Sequence, residues 1–137
     1  MMKLYFCDEI KISYEELIKL HKAKKIALTL DIILAFDILA NRNYRPGGNT
    51  YLYIFYIIIC LTIGVFAFSI YLSFTSAWWY FIPGLLITWI MWNANRRSVA
   101  DNLTDEAFKD KNYYEKIRKI KGWVYRLDEA DAKRYLK

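Results

Sequence analysis

Apolar residues are spread unevenly along this chain. Between Pro46 and Asn95 there is no Asp, Glu, Lys, Arg or His, and most of the Phe and Trp fall there. Soluble domains do not carry about 50 consecutive uncharged, largely apolar residues, and one membrane crossing takes about 20. The pattern predicts two crossings, Tyr51 to about Tyr71 and about Trp78 to Trp92, joined by a turn over Ser73–Ala77. In the first, roughly a dozen Leu, Ile, Phe and Val contribute about −5 kcal/mol to insertion. The second is short, and the snorkelling side chains of Arg96 and Arg97 extend it.

Ahead of this run, Ser13-Tyr14-Glu15-Glu16 reads as a capping box opening a helix. No Gly or Pro intervenes before Pro46, so the helix is expected to continue to about Ala40. It is polar and basic up to Lys25. From Ile26 to Ala40 it is apolar on all sides except at Asp31 and Asp37, a character that places a helix inside protein or lipid. Two aspartates at about 2.5–3.5 kcal/mol each oppose a crossing, and about 15 residues suit an interfacial or buried helix better. Residues 3–12 alternate weakly but have no evident strand partner, and are expected to be irregular or weakly extended.

Behind the run, Thr104 or Asp105 is placed to cap a helix over Glu106–Lys121, stopped by Gly122. Phe108, Tyr114 and Ile117 recur at helical spacing and form its contact face, with Lys109, Lys116 and Lys119 opposite. A basic amphipathic helix beside a membrane lies on its surface or packs on the first helix. Trp123–Leu127 reads as extended, and Asp128 caps a last short helix.

The expected class is therefore an all-α integral membrane protein, a transmembrane helical hairpin with flanking cytoplasmic or interfacial helices. Its divisions are an N-terminal segment 1–45, the hairpin 46–95 and a C-terminal segment 96–137. Aromatic belts fit that reading. Tyr51, Tyr53 and Tyr56 stand at the entry with Trp89 and Trp92 at the exit, while Tyr71, Trp78, Trp79 and Tyr80 flank the turn. Arg42, Arg45, Arg96 and Arg97 flank a charge-free turn, which points both termini toward the cytoplasm of a bacterial-type inner membrane. The polar N-terminus does not read as a cleavable signal peptide.

The net charge of +6 suits an anionic inner leaflet. Tyr113, Tyr114, Trp123 and Tyr125 among Lys and Arg are able to stack bases, but no nucleic-acid module surrounds them. The two cysteines, Cys7 and Cys60, are expected to be free thiols. Cys60 and Gly64 make a small-xxx-small face for helix packing. A single His21 builds no zinc site, no phosphate-binding or nucleophile motif occurs, and no cofactor is expected. Asp31 and Asp37 lie about 120° apart on a helix, which disfavours a paired acid/base site. The expectation is a small non-enzymatic protein acting by helix–helix contact, with itself or another membrane protein, as an accessory, immunity-type or inhibitory subunit. The alternative is a homo-oligomeric pore with Asp31 or Asp37 at its mouth.

Overall fold

The structure is a computed structural model, describing residues 2–136. The chain forms two compact units, one from the residues up to Pro46 together with those from Ala100, the other Gly47–Val99. The all-α class does not hold. The chain is mixed, 66% helical with a three-stranded antiparallel sheet.

The first unit contains β1 (Met2–Phe6), α1 (Tyr14–Lys22), β2 (Ile26–Leu30) and α2 (Ile32–Ala40). To these the C-terminal part adds the end of α4 (Phe81–Lys109), then α5 (Lys111–Lys119), β3 (Trp123–Asp128) and α6 (Glu129–Ala132). Strand order is β1-β3-β2, so the last strand in sequence is central. Residues 3–12 were expected to be irregular or at most weakly extended for want of a partner. The partner is β3, at the far end of the chain, with Tyr5 opposite Tyr125.

The single helix expected over residues 14–40 is broken in the same unit. The Ser13–Glu16 capping box opens α1 as expected. At its end Lys24 turns left-handed, with φ 54°. The Lys24 and Lys25 amides donate to the carbonyls of His21 and Leu20, each at 2.9 Å, a Schellman closure. Beyond it the period becomes two: Ile26, Leu28 and Leu30 are buried while Ala27 and Thr29 are exposed. Asp31 then caps α2, its carboxylate accepting from the Ile33 amide at 2.8 Å. The presumed interfacial helix is a strand followed by a short helix.

The helix expected over Glu106–Lys121 is divided too. α4 continues to Lys109, and Asp110 caps α5 by accepting from the Asn112 amide at 2.8 Å. Its end repeats the α1 closure: Lys121 has φ 59°, and the Gly122 amide donates to the Ile117 carbonyl at 3.1 Å. Gly122 is required by space. A Cβ there would lie 2.7 Å from Ile117 Cγ2 and 2.9 Å from Leu34 Cδ2.

These likenesses belong to an internal repeat. The caps Ser13 and Asp110, the left-handed Lys24 and Lys121, the strand starts Ile26 and Trp123, and the caps Asp31 and Asp128 are each 97 positions apart. Lys19/Lys116, Lys22/Lys119, Leu30/Leu127 and Ala35/Ala132 are identical at the same spacing. Leu28 sits opposite Tyr125, its own counterpart, so the antiparallel β2–β3 pairing maps onto itself. Two αβα modules are thus related by a pseudo-twofold axis between those residues. The shared core buries Trp123, Tyr125 and Leu127 with Leu28, Leu17, Leu103, Tyr114 and Ile117.

The second unit holds α3 (Thr50–Thr75), a 3-10 turn at Trp78–Tyr80, and the first part of α4. Phe66 meets Phe81 at 6.3 Å between ring centroids, and the Asn95 amide donates to the Phe55 carbonyl at 3.5 Å, so the helices run antiparallel. Among the described residues only α3 is long and apolar enough to cross a membrane. The transmembrane helical hairpin therefore does not stand. The apolar stretch of α4, Phe81 to Trp92, rises about 18 Å against a hydrocarbon core of about 30 Å. Asn93, Asn95, Arg96 and Arg97 follow at once.

Candidate contact surfaces

In Gly47–Val99 the usual burial is inverted. Ile57, Ile63, Phe68, Phe74 and Leu86 are exposed, whereas the enclosed side chains of α3 are Thr62 and Ser69. Their hydroxyls donate to backbone carbonyls of their own helix, Thr62 to Ile58 and Ser69 to Phe66, both at 2.7 Å. Every enclosed hydroxyl in α3 is thus satisfied without water. The helices close on Gly84, where a Cβ would lie 2.1 Å from Ser69 Cβ.

That close approach was missed from the sequence. The small-xxx-small pair singled out instead, Cys60 and Gly64, is exposed, and nothing lies within 4 Å of a Cβ built on Gly64. The available signal was Pro83-Gly84 beside the small Ser69 and Ser73. Of the expected interface anchors, Trp78, Trp79, Trp89 and Trp92 are exposed, as is Arg97, while Tyr51 and Arg96 are half-buried.

Neither aspartate of the proposed ion pathway lies in this unit. Asp31 and Asp37 are both exposed residues of the αβ unit, one at the cap and one within α2. The contact face is resolved differently for each member. Tyr114 and Ile117 are fully buried, and Phe108 is half-buried, stacked on His21 with centroids 4.1 Å apart. The Tyr14 hydroxyl donates to the Phe108 carbonyl at 2.8 Å, so this face packs on α1.

Inside the core the Tyr114 hydroxyl donates to the Ile12 carbonyl at 3.0 Å and lies 2.7 Å from the Tyr125 hydroxyl. Burial pushes the Tyr114 phenol up to about 12, and burial raises that of Tyr125 as well. Cys7 Sγ is 3.9 Å from the Tyr125 hydroxyl, an enclosed polar cluster that fixes α5 against β3. At the surface, Lys3 pairs with Glu129 at 3.0 Å; each holds the other's charged form, raising the lysine and lowering the carboxylate.

An open groove of about 270 Å³ runs between β2 and the end of α4. Ile26, Ala27 and Leu28 line one side, Asp101, Thr104 and Asp105 the other, and the stacked His21 and Phe108 its end. Asp101 and Asp105 are exposed and form no ion pair among the described residues. The groove is not legible in the sequence, because its two walls are far apart in the chain.

Among the described residues no group of three His, Cys, Asp or Glu is placed to hold a metal ion. No protein-family model matches the chain, and neither does any curated protein or solved structure.

Proposed function

We propose that this is a small membrane-associated protein that acts by contact with another protein and performs no catalysis of its own. The observation carrying this reading is the inverted burial of Gly47–Val99, where large apolar side chains point outward and hydroxyls inward. A surface with exposed apolar area far above a few hundred Å² belongs in lipid or against protein. α3 is the element suited to the bilayer interior. Pairing of β1 and β2 with β3 joins the first and last parts of the chain in one folded unit. Arg42 and Arg45 ahead of α3 suit an anionic leaflet of a bacterial-type inner membrane. The αβ unit, closed around its own core, supplies a folded face for an accessory, immunity-type or inhibitory role.

The ion-pathway reading has less behind it, since the Asp31 carboxylate is engaged as a helix cap. Flotation of native membranes tests the proposal. Wild type is expected to float with lipid and resist carbonate extraction, while Ile57→Lys with Ile63→Lys is expected to lower the membrane fraction. Wild type left in the soluble fraction would overturn it. Crosslinking in the same membranes is expected to trap a second polypeptide. A conductance in reconstituted vesicles that disappears with Asp31→Asn and Asp37→Asn would favour the pore instead.

A further inference from the structure

The two αβα modules have unequal neighbours. Along the outer edge of β3 lies β1, hydrogen-bonded to it backbone to backbone. By the 97-residue spacing, Met2–Phe6 corresponds to Val99–Leu103, which is part of α4 and helical. A helix bonds its backbone groups internally and cannot satisfy a strand edge. No backbone partner outside β3 is found for Ile26–Leu30 among the described residues. The groove beside β2 is thus the place that β1 fills on the other side of the axis. A second cleft supports the equivalence. It is lined by Cys7, Asp8, Lys11 and Arg118, the counterparts at the same spacing of Thr104, Asp105, Phe108 and His21 in the groove.

We propose that this groove is a strand-addition site for an extended, Lys- or Arg-bearing segment of a partner protein, which would complete the sheet as β1-β3-β2-partner. The inference rests on the contact-acting reading above and names its surface. Backbone pairing to β2 supplies affinity, and pockets for alternate side chains supply selection. Charge decides the occupant. In a chain of net charge +6, Asp101 and Asp105 form no ion pair among the described residues and stand along one wall, complementary to a cationic segment. The His21–Phe108 stack offers an apolar side chain its seat.

The probe is the chain's own edge sequence, a labelled Met-Lys-Leu-Tyr-Phe peptide, added to the full protein in lipid nanodiscs. It is expected to bind, to slow amide exchange in residues 26–30, and to weaken about fivefold with Asp101→Asn and Asp105→Asn. A peptide with Glu in place of Lys is expected to bind more weakly than the parent, and one with Pro in place of Leu not to bind. Three results would overturn the proposal: no binding at millimolar peptide, binding that protects β3 by displacing β1, or binding indifferent to both carboxylates. Protection of β2 that grows with protein concentration and needs no peptide would assign the edge to a second copy instead. Peptide binding by a protein that fails to float with membranes would sink the membrane reading and leave this site standing.

Discussion

Trp123 is fully enclosed in the αβ unit, whereas Trp78, 77% exposed, stands on the surface of the helical unit. The same contrast runs through both. In the αβ unit Leu17, Leu127 and Ile117 are removed from solvent and Lys and Glu surround them. Within Gly47–Val99, Ser69 and Thr62 are enclosed and Ile and Phe surround them. Water drives the first arrangement by excluding apolar area. It would oppose the second, which is stable where the surroundings are as apolar as leucine. One chain therefore carries two opposite patterns of burial.

Tryptophan truncation should break or sharpen this contrast most. Trp123→Ala is expected to destabilise the αβ unit by about 3–5 kcal/mol. It removes a fully buried ring stacked on Tyr114 at 5.9 Å, whose indole N–H donates to the Tyr114 carbonyl at 3.0 Å. Trp78→Ala is expected to change stability by less than about 0.5 kcal/mol, as at an uninvolved surface position. Urea melts in nanodiscs measure both. Equal costs would remove the contrast.

Glycine supplies the second test, within the helical unit. Gly84→Ala puts a methyl group into Ser69 and is expected to cost about 1–3 kcal/mol through overpacking. Gly64→Ala meets open space and should gain up to about 1 kcal/mol of helix propensity. Thermal denaturation in detergent, read at the helix signal, compares them. A neutral Gly84→Ala would mean that the two helices are not closed on each other.

Much of this was legible and some was not, for reasons tied to particular residues. The span of α3 announced itself because an uncharged run needs no partner to be recognised. So did the Ser13–Glu16 capping box and the Asp128 cap, whose hydrogen bonds are local. β2 was misread because five residues, Ile26–Leu30, sit inside a longer apolar stretch, where period cannot separate strand from helix. Alternation of large and small side chains, with Lys24-Lys25 before it, was the signal available. β1 failed on topology, since its partner is the last strand of the chain. The groove required both facts. A self-comparison at fixed spacing would have shown Lys24/Lys121 and Asp31/Asp128 in register and pointed to it.

The buried tyrosines give a pH test confined to the αβ unit. Tyr114 titrates at about 12 in the fold against about 10 in an unfolded chain, and burial raises Tyr125 in the same direction. The unfolded chain therefore loses these protons first. Stability is fully present below about pH 10 and falls as pH rises from about 10 toward 12. Tyr114→Phe with Tyr125→Phe should flatten that decline in urea melts, while the helical unit, followed by near-ultraviolet dichroism in detergent, should not respond. A wild-type stability flat to pH 12 would remove the cluster from the ionisation balance.

The smallest expected effects concern the two left-handed lysines. A non-glycine residue at positive φ costs about 1 kcal/mol, and Lys24 and Lys121 each carry that cost at the end of a helix entering a strand. Replacement by Gly relieves it but adds about 0.4–1 kcal/mol of unfolded-state freedom. The net gain expected for Lys24→Gly is therefore a few tenths of a kcal/mol, a rise in Tm of about 1–3 °C. Lys121→Gly also gives up the Lys121–Asp8 ion pair at 2.9 Å, but both partners are mostly exposed, so its loss subtracts little. Because the two positions are counterparts across the pseudo-twofold axis, their shifts should share a sign and lie within about 2 °C of each other. Opposite signs would mean that the two turns bear different strain, and would weaken the equivalence between the two modules. Neither change should alter melting of the helical unit, whose residues these turns do not include.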